Sequence, residues 1–182
     1  QPMDKKYFKI LIAVLSISIV FSFYRIGNSV LNVDGQLWYL RSSSFIRNVR
    51  NLNFKKKYQD PKPGVTVMWL SGTSYEIFNE IHFKMFKYRP EFYVYDKFPL
   101  LFSSLVAPLV LANLITGILF FFLVKKLTDN KIAIFSYILF ALHPYYLGIS
   151  RILHVDSLMT NFIALSYLSF LLFLKHKQRK MY

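Results

Sequence analysis

Long uncharged apolar runs alternate with polar, mostly basic stretches along this chain. The runs cover residues 10–24, 98–124, 132–150 and 157–174. A helix crossing a bilayer needs roughly 17–25 predominantly apolar residues. The last three runs meet that requirement alone. The first meets it once Tyr7, Phe8 and Arg25 extend it and Lys9 snorkels to the interface. The pattern therefore predicts membrane spans over 7–25, 98–124, 131–150 and 156–174. Pro99 suits a helix start, and Pro108 predicts a kink in the second span. The first run ends in Phe21, Ser22, Phe23 and Tyr24, mostly bulky rather than the small residues of a cleavage site, so it reads as a retained anchor.

The stretch 26–97 is patterned too. Leu37, Leu40, Phe45, Val49 and Leu52 recur near helical spacing, with Arg41, Arg47 and Arg50 between them. Leu70, Ile77, Phe78, Ile81 and Met85 repeat the pattern further on. Both predict amphipathic helices lying at the membrane surface. The proline-glycine stretch YQDPKPGV at 58–65 predicts a loop between them. The expected fold is all-α: one polytopic membrane domain over 1–182, with four spans and two interfacial helices in the first outer loop.

Charge then sets the orientation. The chain has 23 Lys+Arg against 9 Asp+Glu, a formal net charge of +14, and it is 54% hydrophobic. In a soluble protein that charge would suggest nucleic acid. The apolar residues lie in long blocks, so no nucleic-acid partner is expected. Zero cysteines exclude a disulfide scaffold and a zinc-thiolate site. Basic clusters stand at Lys5, Lys6 and Lys9, at Lys125, Lys126 and Lys131, and at Lys175, Lys177, Arg179 and Lys180. With four alternating spans all three fall on one side, which the positive-inside rule makes cytoplasmic. Both termini are then cytoplasmic in a multi-pass protein of the cell membrane. The stretch 26–97 and the turn around 143–156 face out.

Candidate chemistry gathers on that outer side. Asp34 follows the first span, where it would cap a helix or, as a carboxylate, take a proton from a hydroxyl. Arg151 and Asp156 bracket the turn before the fourth span. Asp156 suits a helix cap, and Arg151 either anchors at headgroup level or holds a lipid phosphate through its planar fork. His143 and His154 share the turn, as satisfied structural groups or as metal ligands. Lys62 and Gly64 lie in the proline-glycine loop, a surface turn or a cover over a headgroup that glycine lets the backbone approach. Lys55–Lys57 reads as a solvated or lipid-phosphate-facing face. No GxGxxG, Walker, HExxH or GxSxG motif is present.

Three stretches resemble the N-terminal part of C-type glycosyltransferases of the dolichyl-phosphate-mannose protein mannosyltransferase-like group. They are VDGQLWYLRSSSFIRN, YQDPKPGVTVMWLSG and HPYYLGISRILHVDSLMTNFIALS, in the family's order. The resemblance implies transfer of a sugar from a polyprenyl-phosphate donor to an acceptor hydroxyl of a protein or glycolipid on the outer face, with inversion. It makes Asp34 the catalytic base and Arg151 the holder of the donor phosphate, and the loop cation Lys62 joins Arg151 as a donor-phosphate candidate on its position alone. The resemblance makes Asp156 an orienting or supporting residue, and His154, His143 and Gly64 are grouped with it as supporting residues by their positions. No cofactor is implied beyond a divalent metal, whose need stays open. Gly35 stands where many members carry a second acid. Members are much longer, so the resemblance implies a fragment, a truncated form or a minimal homologue.

The rival reading is a non-catalytic membrane module that binds polyprenyl lipid or completes the site of a partner chain or dimer. A channel or transporter ranks last, because the apolar runs carry no Asp, Glu, Lys or Arg.

Overall fold

The computed structural model describes residues 3–28, 33–53, 64–90 and 98–181. Among them every regular element is helical: α1 (Lys5–Phe23), a 3₁₀ turn (Ile26–Asn28), α2 (Val33–Arg50), α3 (Val65–Phe86), α4 (Phe98–Leu127), α5 (Asn130–Ala141), α6 (Pro144–Ser150) and α7 (Asp156–Met181). The stretches Lys5–Phe23, Pro99–Leu127 and Asp156–Lys177 are long and apolar enough to cross a membrane. The α5–α6 pair makes a fourth candidate, bent by 59°. The chain is a polytopic helical membrane protein.

That bend departs from the continuous third span the sequence predicts. Pro144 explains it. A residue before proline is pushed out of the helical region, and proline itself fits the first turn of a new helix. So α5 ends at Ala141, and the His143 carbonyl accepts the Leu147 N–H of α6 at 2.9 Å. Pro108, by contrast, lies within a helix that runs through it.

The chain forms two compact units. One comprises residues 1–22, 111–150 and 156–182. Its apolar core is built from Leu11 and Val14 of α1, Phe121 and Val124 of α4, and Ala133, Ile134, Tyr137 and Ala141 of α5. Asp129 caps α5, its Oδ1 accepting the Ile132 N–H at 2.9 Å. Lys175 Nζ donates to the Leu127 carbonyl at 2.7 Å, which neutralises the C-terminal end of α4. A buried amide network joins three helices. Asn161 Nδ2 of α7 donates to Asn113 Oδ1 (2.9 Å) and Thr116 Oγ1 (2.6 Å) of α4. Asn113 Nδ2 donates to Ser157 Oγ (2.9 Å), and Tyr146 OH of α6 donates to Asn161 Oδ1 (2.9 Å). In lipid, polar pairs of this kind hold helices together, because their alternative is an unsatisfied group in hydrocarbon. Elsewhere α7 turns Phe162, Ile163, Tyr167, Phe170 and Phe173 outward, a lipid-facing surface.

The other unit comprises residues 23–110 and 151–155. Its centre is the α2–α3 pair. Gly72 of α3 sets their closeness: an added Cβ would lie 2.6 Å from the Ser42 carbonyl oxygen of α2. Tyr39 and Tyr75 meet edge to face at 5.4 Å, as do Phe45 and Trp69 at 5.2 Å. Ser71 Oγ donates to the Leu105 carbonyl at 2.8 Å, tying α3 to the first half of α4. The side of α3 that packs inward is Val67, Met68, Ser71, Gly72, Tyr75, Asn79 and His82. Its apolar stripe of Ile77, Ile81 and Met85 is exposed. Lys87 ends α3 in the left-handed conformation (φ 63°), its N–H bonding the Phe83 carbonyl at 2.9 Å.

Candidate functional site

The site is built where the start of α2 meets the turn 151–155. Asp34 sits in the first turn of α2, one residue inside the helix rather than in the capping position the sequence suggested. An acid there faces the positive end of the helix dipole. Its side chain is 53% exposed, and Oδ2 lies 3.4 Å from Nε2 of His154. His154 is the better buried partner, 19% exposed. Its place is fixed by a tight turn in which its N–H bonds the Ile152 carbonyl at 2.9 Å.

Trp38, one turn along α2 from Asp34, is the platform of the site and is only 4% exposed. The His154 ring meets its indole edge to face, centroids 6.0 Å apart. The Arg41 guanidinium stands over the same indole, 5.3 Å from its centroid. Gly64 backs the ring from the third side. It has φ 145°, and a Cβ there would collide with the far edge of the indole. Gly64 does allow a close approach, but what approaches is Trp38.

Arg151 begins the same short turn. One terminal guanidinium nitrogen donates to the carbonyl of Tyr24, just past α1. Its Nε is buried without a hydrogen-bond partner. A guanidinium held at one end by a carbonyl keeps its full charge, which suits an anionic oxygen.

The other expected residues fall elsewhere. Asp156 opens α7, as an acid in its first turn. His143 is exposed at the α5–α6 break. Both belong to the unit without Asp34. Lys62 and Lys55–Lys57 lie outside the described residues. Among the described residues no three His, Asp or Glu side chains converge to hold a metal ion.

Trp38 and Arg41 were not singled out as site residues by sequence reasoning. A signal existed: Asp34, Trp38 and Arg41 follow one another at spacings of four and three, the repeat of one helix face.

A multi-pass helical membrane protein with a carboxylate, an imidazole and an underused guanidinium on one small unit is the class these features define. Residues 101–182 match the model of the dolichyl-phosphate-mannose-protein mannosyltransferase family. The resemblance read from the sequence holds over that stretch, which includes Arg151, His154 and Asp156. It covers less than half the chain and leaves out residues 1–100, with Asp34 and Gly64. No curated protein and no solved structure matches the chain.

Proposed function

We propose that the chain is a glycosyltransferase, or the N-terminal part of one, that moves a sugar from a polyprenyl-phosphate donor to an acceptor hydroxyl. The observation that carries this reading is the 3.4 Å approach of His154 to Asp34, with Arg151 in the same turn as His154. In the proposed step Asp34 takes the proton of the acceptor hydroxyl. The acceptor oxygen bonds to the anomeric carbon as the bond from that carbon to the phosphate oxygen breaks. The configuration inverts, and polyprenyl phosphate leaves. Arg151 holds the departing phosphate, whose charge grows in the transition state. Lys62 is a second candidate cation. His154 orients the carboxylate.

The basic clusters support an outer-face site with both termini cytoplasmic. The exposed stripe of Ile77, Ile81 and Met85 supports an α3 lying on the bilayer, where a lipid-linked donor would present its phosphate.

The test is release of polyprenyl phosphate from a polyprenyl-phosphate-linked hexose by the purified chain in lipid nanodiscs. Release should depend on both Asp34 and Arg151. Normal release by Asp34→Asn would overturn the base assignment. Donor binding without release would favour the non-catalytic module, a reading for which the family match stopping short of Asp34 also speaks.

A further inference from the structure

A second polar site lies on the α2–α3 unit, along the later part of α2. It is an open groove of about 610 Å³ running over the C-terminal end of α2, the middle of α3 and residues 89–90. The mechanism proposed above uses none of its residues.

Its charges do not cancel. Arg50 Nη1 stands 3.5 Å from both Glu76 Oε2 and Glu80 Oε1, and Arg89 Nη2 stands 2.7 Å from Glu80 Oε1. These carboxylates therefore serve Arg50 and Arg89. Arg47, on the same rim, has no carboxylate partner among the described residues. A planar guanidinium without a counterion among the described residues, on a concave polar wall, suits one phosphate or carboxylate group.

The wall carries a second unmet demand. Asn79 lines the groove, is only 5% exposed, and its Oδ1 has no hydrogen-bond partner. A buried acceptor left unpaired is costly, and native proteins rarely leave one so. It calls for a donor such as a hydroxyl. Beside it the Tyr39 and Tyr75 hydroxyls form a 3.1 Å pair, which extends the polar wall.

We infer that the groove binds a phosphorylated sugar or polyol, the phosphate on Arg47 and a ring or chain hydroxyl on the amide of Asn79. Neither half of such a ligand meets both demands. A bare phosphate answers Arg47 alone, and a neutral sugar answers Asn79 alone. The groove's size is that of ordinary small-molecule sites, about 300–1,000 Å³. The same chemistry is available in solution, as a sugar phosphate, or at the membrane, as an inositol phospholipid headgroup.

The experiment is calorimetric titration of the full chain, in phosphatidylcholine nanodiscs, with glucose 6-phosphate, glucose and inorganic phosphate. Glucose 6-phosphate should bind about tenfold or more tightly than either part. Arg47→Gln alters an exposed side chain and should bring glucose 6-phosphate down to the level of glucose. Asn79→Leu should bring it down to the level of phosphate. Repeating the titration with phosphatidylinositol in the disc separates the sources. Loss of the glucose 6-phosphate signal assigns the site to the lipid headgroup, and an unchanged signal assigns it to the soluble ligand. The inference is overturned if glucose 6-phosphate binds no tighter than phosphate, or if Arg47→Gln binds it as well as the parent chain.

Discussion

Nε2 of His154, in the turn before α7, lies 3.4 Å from Oδ2 of Asp34, in the first turn of α2. The contact joins two segments far apart in the chain, and Trp38 supports it by packing against the imidazole. A half-exposed contact of this kind is worth only about 0–1 kcal/mol of stability. Its interest is positional, since it fixes where one carboxylate oxygen points.

Asp34→Asn keeps the shape and removes the base. Asp34 is half exposed, so the fold should survive with an unchanged melting temperature. The rate of polyprenyl phosphate release should fall by about 10²–10⁴-fold, the usual worth of a general base. A melting temperature several degrees lower would instead mean that Asp34 is structural.

His154→Phe keeps a ring against Trp38 and removes the partner of Asp34. Release should slow by roughly 10²-fold through misplacement of the carboxylate, chiefly in kcat. His154→Asn should recover part of that loss, because an amide still donates to a carboxylate. Equal activity in all three proteins would show that the pair does not orient the base.

Arg151→Ala should cost about 10²–10³-fold in release, as expected for one lost donor to a leaving oxyanion. It also removes the bond to the Tyr24 carbonyl, so Arg151→Lys is the needed companion. Lysine keeps the charge but not the fork, and should be intermediate. If Lys and Ala behave alike while both stay folded, the fork rather than the charge is what the phosphate needs.

Gly64→Ala tests the Trp38 platform. The new Cβ meets both a left-handed backbone and the indole edge. The cost should be about 1–3 kcal/mol, seen as a lower melting temperature in detergent. Combined with Trp38→Ala, which empties the space, Gly64→Ala should cost less than it does alone.

Asn161→Leu tests the buried amide network. It strands Asn113 Oδ1 and the Tyr146 hydroxyl, while Thr116 Oγ1 keeps its bonds to the Ala112 and Asn113 carbonyls. About 1–2 kcal/mol should be lost, the worth of interhelical hydrogen bonds in lipid. A more stable Asn161→Leu protein would mean that packing rather than these bonds joins α4 to α7.

Sequence alone determined the helical membrane class, because apolar run length is a one-dimensional property and lipid leaves the backbone few alternatives to a helix. It also showed the two helices of the stretch 26–97, through their periodicity, and the residues Asp34, Arg151 and His154 as chemistry at helix ends. It did not show which of these meet. Only the tertiary structure paired Asp34 with His154, turned Gly64 against Trp38 and left His143 exposed in the other unit. Asn113 and Asn161 were visible as lone amides in apolar runs, yet a count of charges passes over them. Their partners lie on other helices, and hydrophobic periodicity does not encode how helices rotate against one another. The same holds for the groove, where the lack of a carboxylate for Arg47 among the described residues appears only once Glu76 and Glu80 are seen facing Arg50 and Arg89.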